Sequence, residues 1–318
     1  MKIVILDGFT ANPGDLEWSR LEMIGELTVY KRTSPDEVVM RCNDADVVFT
    51  NKTVISGDMM ARLPNLKYIG VLATGYNVVD IEFARNLGIF VTNVPSYSTM
   101  SVAQNVFALL LEITNSVGHY TREVRKGRWT ESDDFCFIDT KLRELADKQL
   151  GIIGFGAIGQ RVAKIGEAFG MKTATFTSKS ENEVSPTRKM KLDEIFATSD
   201  IITLHCPLTE NTFQLVDGEK LSLMKPSAIL INTGRGLLVD EDALANALNE
   251  GRIAAAGLDV LSQEPPEVNN PLFRAKNIYL TPHISWATVE ARQRLIEIAV
   301  SNLEAFISGA PVNVVNGL

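Results

Sequence analysis

The chain has 318 residues, 45% of them hydrophobic and 22% charged, with a formal net charge of −8. That length exceeds what one hydrophobic core commonly holds, and the composition is that of an ordinary globular protein, so two domains are expected. An acidic chain with no block of Lys or Arg repels phosphate backbones, which excludes nucleic acid and anionic membrane as expected partners.

Cys42, Cys136 and Cys206 are isolated and odd in number, which argues against a disulfide framework or a zinc site. They fit a reducing cytosol. The opening MKIVILDG reaches an Asp after a run too short for a signal peptide, and the apolar run at 107–111 is interrupted by Glu112. A cytoplasmic protein is expected.

From residue 1 to about 95, short β-branched runs at 2–6, 27–30, 46–51, 67–71 and 89–92 alternate with helical stretches at 35–42, 57–62 and 79–86. Such alternation predicts a parallel sheet with helices on both faces, and ligands at the carboxyl ends of its strands. Two loops then stand out: Thr50-Asn51-Lys52-Thr53, and Leu72-Ala73-Thr74-Gly75-Tyr76-Asn77. The second places small residues where backbone amides can hold a carboxylate, although a plain glycine turn reads the same way. Lys52 reads equally as a substrate contact or a solvated lysine.

NVPSYST at 93–99 is a connector, and an apolar-periodic helix follows from about Ser101 towards Gly118, with Thr99 or Ser98 as its N-cap. This is the expected crossing into a second domain. Residues 127–148 lack periodicity and carry Trp129, Phe135 and Phe137, as expected of a segment that wraps a neighbouring domain or subunit.

The stretch LGIIGFGAIGQRVAKIGEAFG at 150–170 is a short buried strand, a G-x-G-x-x-G loop and a helix pattern. Gly154 permits the tight turn, Gly156 lets a pyrophosphate approach bare backbone, and Gly159 lets the helix pack closely on the strand. The helix N-terminal amides, at Ala157 and Ile158, face the anion. Further strands are expected at 172–177, 201–205, 228–232, 254–259 and 278–280, and a helix at 240–250 closing at Gly251. The amphipathic helix at 288–308 is expected to return to the first domain, with the two crossings forming a hinge.

Three side chains lie where strands of the second sheet run out: Arg235 in INTGRG, Glu264 in LDVLSQEPP and His283 in IYLTPHIS. Reduction of a 2-oxo acid needs a fixed cation for the carboxylate and carbonyl, which Arg supplies bidentately. It needs a general acid, which suits His, and a carboxylate to orient and tune that His, which suits Glu264. The cofactor performs the hydride step. His119 reads as a packing or surface residue, and His205 as structural with a possible cofactor contact. No metal-ligand spacing and no G-x-S-x-G elbow occur.

GFGAIG, CPLTENT, MKPSAILINTGRG, LVDEDALANAL, AAAGLDVLSQEP and LTPHISWAT together resemble the D-isomer-specific 2-hydroxyacid dehydrogenases over essentially the whole length. Within that family LATGYNVVD, SVAQNVFALLLE and HISWAT resemble the glycerate dehydrogenases, also called hydroxypyruvate reductases. The resemblance implies two doubly wound α/β domains. One is a discontinuous flavodoxin-like substrate domain at 1–98 plus 288–318, and the other a Rossmann dinucleotide-binding domain at 99–287. It implies that Arg235 binds substrate, that His283 is the acid/base with Glu264 as its partner, and that the protein is a homodimer formed through the nucleotide domains. Lys52, Ala73, Thr74 and Gly75 join Arg235 and His283 as expected substrate contacts. Cys206, Pro207, Thr212, Thr233, Gly234 and Asp259 join the glycine loop as expected cofactor contacts.

One departure matters. NAD-preferring members carry Asp at the end of the second nucleotide strand, but here the place reads Phe176-Thr177-Ser178-Lys179-Ser180. With no acid to repel a 2′-phosphate, Ser178, Lys179 and Ser180 are expected to accept it, so NADP(H) is expected as well as NAD(H). The expected reaction is reduction of hydroxypyruvate to D-glycerate. The rivals are glyoxylate or another small 2-oxo acid as substrate, and a dinucleotide-sensing corepressor on the same fold.

Overall fold

A computed structural model describes all 318 residues, and the chain divides into two units: Met1–Ser98 with Trp286–Leu318, and Thr99–Ser285. The return begins at Trp286 rather than at residue 288, because the Trp286 ring packs edge-on against Tyr97, 6.4 Å between centroids.

The first unit contains β1 (Lys2–Ile5), α1 (Ser19–Ile24), β2 (Glu26–Val29), α2 (Val38–Cys42), β3 (Val47–Thr50), α3 (Gly57–Met60), β4 (Tyr68–Val71), α4 (Ile81–Asn86) and β5 (Phe90–Thr92). The strands form one parallel sheet in the order β2-β1-β3-β4-β5. Side chains alternate between the two faces. Ile3, Ile5, Val47 and Phe49 point into one core, which the C-terminal helix Val289–Ile307 closes with Leu295, Ala299, Val300 and Leu303. Val4, Val48 and Ile69 point into the other, closed by α2, α3 and α4. Helices on both faces explain why four of these strands read as apolar runs.

The second unit contains α5 (Thr99–Asn115), α6 (Val117–Arg125), β6 (Gln149–Ile153), α7 (Ala157–Ala168), β7 (Lys172–Phe176), α8 (Glu181–Val184), β8 (Arg188–Lys189), α9 (Leu192–Thr198), β9 (Ile201–Leu204), α10 (Gly218–Leu223), β10 (Ile229–Asn232), α11 (Glu241–Asn249), β11 (Ala255–Leu258) and β12 (Ile278–Leu280). Its sheet is parallel throughout, in the order β12-β11-β10-β9-β6-β7-β8. The order reverses between β6 and β9, which is where a doubly wound sheet opens a crevice for a dinucleotide. Both units thus have the doubly wound α/β architecture expected.

The helix expected to run unbroken to Gly118 is instead two helices. Ser116 adopts a left-handed backbone, φ 51°, after its N–H closes α5 on Glu112 O at 2.8 Å. The Glu112 carboxylate then accepts the Gly118 N–H at 3.1 Å, fixing the corner. Residues 126–148 carry no helix or strand, and within them Trp129 and Phe135 are 53% and 90% exposed. No helix is long and apolar enough to cross a membrane.

Candidate functional site

The glycine loop is built as close approaches demand. Gly154 has φ +93°, and a Cβ there would lie 2.5 Å from the Cys206 backbone nitrogen, so no side chain fits between β6 and the segment after β9. A Cβ on Gly159 would collide with the Gly154 carbonyl, so α7 seats directly on the turn. Gly156 is different: a Cβ there would meet nothing within 4 Å. Open space therefore lies beside the first amides of a twelve-residue helix, and a pyrophosphate has both room and partial positive charge there. Ala157 and Ile158 form the first turn.

After β9, His205 and Cys206 lie against that turn. His205 Nε2 is 2.9 Å from Thr203 Oγ1, and burial pushes the imidazole pKa down to about 3. The folded state thus refuses a proton that the unfolded chain takes up below its ordinary 6.5. Stability is full above 6.5 and falls as the pH drops towards 3. Between pH 7 and 5 the loss is up to about 2 kcal/mol, an upper bound because part of the residue stays accessible. Denaturant midpoints for His205→Asn should fall less steeply over that range than those of the parent; parallel slopes would rule the effect out. Burial also raises the Cys206 thiol pKa. Thr212 staples its own loop, donating to Pro207 O at 2.7 Å and accepting the Thr209 N–H at 2.7 Å.

At the end of β7, Ser178 is exposed and the Lys179 N–H bonds Thr177 Oγ1 at 3.3 Å. Ser180 is otherwise engaged: its N–H and hydroxyl both donate to Glu183 at the start of α8, at 2.8 and 2.7 Å. Those bonds hold the Glu183 carboxyl below its usual pKa. Ser180 is therefore a helix cap rather than a ready phosphate ligand. Lys189 of β8, which sequence reasoning passed over, donates its ammonium to the Lys179 carbonyl. An edge strand of two residues leaves too short a pattern to read.

The ends of β10, β11 and β12 bring Arg235, Glu264 and His283 together through a short chain of contacts. Buried Asn232 accepts the Gly234 N–H at 3.0 Å and donates to Arg235 O at 2.9 Å, so its amide pins the loop holding Thr233, Gly234 and Arg235. Arg235 is exposed, and its Nη1 donates to Gly234 O at 2.8 Å. Gly236 packs so tightly on the Leu261 carbonyl that a Cβ would overlap it. The Leu261 N–H donates to Glu264 Oε1 at 3.1 Å, and Glu264 Oε2 lies 2.5 Å from His283 Nδ1. An ionised Glu accepts only, so Nδ1 carries the proton and Nε2 is left for chemistry.

Asp259 is nearly inaccessible, and its carboxylate ties down the loop after β12. It accepts from Thr281 Oγ1 at 2.5 Å, Ile284 N–H at 2.9 Å and Ser285 N–H at 2.8 Å. Its carbonyl also takes the His283 N–H at 2.8 Å. These bonds hold His283 in a left-handed backbone, φ 54°, which non-glycine residues seldom adopt without support. The sequence pattern marked Asp259 as a cofactor contact; its buttressing of the histidine loop was not readable from spacing.

In the first unit, the Asp7 carboxylate accepts the amides of Asn51, Lys52 and Thr53 at 2.6–2.8 Å, fixing the loop that bears Lys52. Asn51 Nδ2 donates to Leu72 O at 2.6 Å and so joins the two loops picked out from sequence. Thr74 Oγ1 donates to Val94 O at 3.0 Å, and the Ala73 carbonyl accepts the Val94 N–H. The N–H groups of Ala73, Thr74 and Gly75 make no hydrogen bond within the chain, which leaves them available to an anion.

Residues 107–285 match the model of the D-isomer specific 2-hydroxyacid dehydrogenase NAD-binding domain, more than half of the chain. The chain belongs to that family. It is 50% identical to the hydroxypyruvate reductase of Blautia hydrogenotrophica, covering 99% of this chain and 100% of the relative. It is 42% identical to the glycerate dehydrogenase of Methylorubrum extorquens, covering 91% and 92%. Among solved structures, the NADPH-dependent glyoxylate/hydroxypyruvate reductase of Sinorhizobium meliloti, in complex with NADP and malonate, superposes with a TM-score of 0.83 at 30% identity, covering 99% of this chain and 96% of that one. As a D-2-hydroxyacid dehydrogenase the chain is an NAD(P)-dependent oxidoreductase of 2-hydroxy and 2-oxo acids. The nicotinamide dinucleotide fits the residues present: the open space at Gly156 admits its phosphates, and the buried Thr233 hydroxyl has no partner in the chain.

Proposed function

We propose that this dehydrogenase reduces hydroxypyruvate to D-glycerate, with NADPH accepted alongside NADH. The Glu264–His283 pair at 2.5 Å, one loop from Arg235, carries the reading. When bound, the nicotinamide supplies the hydride. Arg235 pairs with the substrate carboxylate and polarises the carbonyl, its planar fork matching both oxygens. His283 delivers the proton to the carbonyl oxygen from Nε2, and Glu264 keeps the imidazole oriented and its positive form stabilised as the proton is exchanged.

The 50% identity to a hydroxypyruvate reductase supports the choice of substrate. Purified protein, given hydroxypyruvate or glyoxylate with NADPH or NADH, should consume reduced nicotinamide fastest with hydroxypyruvate. A higher kcat/KM for glyoxylate would replace the substrate assigned here.

Ser178 and Lys179, with Lys189 behind them, support acceptance of a 2′-phosphate, and the Glu183 carboxylate is engaged by Ser180. A charged hydrogen bond contributes about 1.5 kcal/mol, so Lys179→Ala should raise KM for NADPH by roughly tenfold and leave that for NADH alone. An unchanged KM for NADPH would exclude Lys179 from the ribose site. We also infer a homodimer, in which a partner covers exposed Trp129 and Phe135, and a cytoplasmic location where Cys42, Cys136 and Cys206 stay reduced.

A further inference from the structure

Every residue from 262 to 269 is exposed, so burial does little to fix where Glu264 stands, yet its Oε2 lies 2.5 Å from His283 Nδ1. A side chain outside this loop grips both of its ends. Glu241, the first residue of α11, accepts the Ser262 N–H on Oε1 at 2.6 Å and the Asn270 Nδ2 on Oε2 at 2.7 Å. The orientation of the Asn270 amide follows from its other end, where Oδ1 takes the N–H of buried Leu272 at 3.0 Å. The peptide joining Leu261 to Ser262 is thereby held on two sides: Gly236 packs against its carbonyl, and Glu241 takes its N–H. The preceding N–H, that of Leu261, is the one that donates to Glu264 Oε1 at 3.1 Å. A continuous set of bonds thus runs from Glu241 through one peptide to Glu264 and on to the imidazole, all within the second unit.

We propose that Glu241 is a positioning residue for the proton transfer, holding Glu264 against His283 through the Leu261–Ser262 peptide. The inference rests on the acid/base reading of Glu264 and His283 given above and adds a residue behind that pair. A carboxylate suits the task because it accepts on both oxygens, so one side chain satisfies a donor at each end of the loop. An amide in its place has one acceptor and turns its own N–H towards a donor, which releases one end. Glu264 then stands on an exposed loop with one anchor fewer, and its contact with the imidazole loosens. The protonated imidazole loses part of the negative charge that favours it, so the acid needed for reduction is depleted at a lower pH.

The test follows kcat, the pH profile of kcat/KM for hydroxypyruvate reduction, and the NADPH dissociation constant in Glu241→Gln, Glu264→Gln and the double variant. Glu241→Gln should lower kcat about tenfold, shift the alkaline fall of the profile to lower pH, and leave NADPH binding within about twofold. In the Glu264→Gln background the same exchange should lower kcat by less than about twofold, because the contact it serves is already gone. Asn270→Asp keeps the acceptor for Leu272 and removes the donor to Glu241. It should repeat the pattern, and it carries the test if Glu241→Gln does not fold. Equal tenfold losses in both backgrounds, or a lower kcat with an unmoved profile, would reduce Glu241 to support of the fold and overturn the proposal. An unchanged kcat in both Glu241→Gln and Asn270→Asp overturns it too. If Glu264→Gln alone alters neither kcat nor the profile, the acid/base pair itself is misassigned, and the proposal falls with it.

Discussion

Exchanging His283 for Asn should lower kcat by roughly 10²–10⁴ while leaving the dissociation constant for NADPH within about twofold. Asn suits the experiment because His283 has φ 54°, and Asn accepts that left-handed backbone better than most residues. The Asp259 bonds that pin the loop are made to backbone N–H groups and to Thr281, so they survive the exchange. What disappears is the imidazole, held 2.5 Å from Glu264 with Nε2 left to move a proton. Stopped-flow reduction of hydroxypyruvate, set beside fluorescence titration of NADPH, separates the two quantities. Comparable losses in both would assign His283 to cofactor binding instead of proton transfer.

Arg235→Lys is expected to have the next largest effect, a fall in kcat/KM of about 10². The charge remains, but a lysine ammonium cannot make the paired, planar bonds that a guanidinium makes to a carboxylate. Losing that geometry costs about 3 kcal/mol, two charged hydrogen bonds of about 1.5 kcal/mol each. Because the Arg235 backbone is held by Asn232 and by the packing of Gly236 on Leu261, the substitution leaves the loop in place. The division between kcat and KM then reports what the side chain does. A loss confined to KM means uniform carboxylate binding; a loss in kcat means that Arg235 also acts on the carbonyl as it is reduced. An unchanged kcat/KM would remove Arg235 from the site.

What could be read from sequence is what local periodicity encodes. The glycine spacing at 154, 156 and 159 is a short-range signal, and the backbone contacts made there are those its spacing implies. Strands buried on both faces stand out as apolar runs bounded by turns, and the strand ends then locate Arg235, Glu264 and His283. Features set by long-range bonds were not legible. The Asp259 carboxylate reaches residues more than twenty positions away, and Asp7, more than forty positions earlier in the chain, gathers the amides of 51–53 from the end of the neighbouring strand β1. Nor does a serine announce a left-handed backbone, so the break at Ser116 between α5 and α6 was invisible in a continuous apolar pattern. Ser180 read as a phosphate ligand because no acid stands at the end of the strand before it; only the position of Glu183 shows its hydroxyl committed.

The collision awaiting any side chain at Gly159, set against the exposed Ser178 after β7, separates two evolutionary fates within one binding unit. No L-residue can enter the first position without lifting α7 off the turn, so heritable change there is closed by geometry, whichever cofactor is used. The second position is a surface loop, where Ser178 is exposed and none of its atoms is committed to a hydrogen bond within the chain. A lineage carrying this fold can therefore redirect its source of reducing power one surface residue at a time, without passing through an ancestor that has lost the ability to bind a dinucleotide.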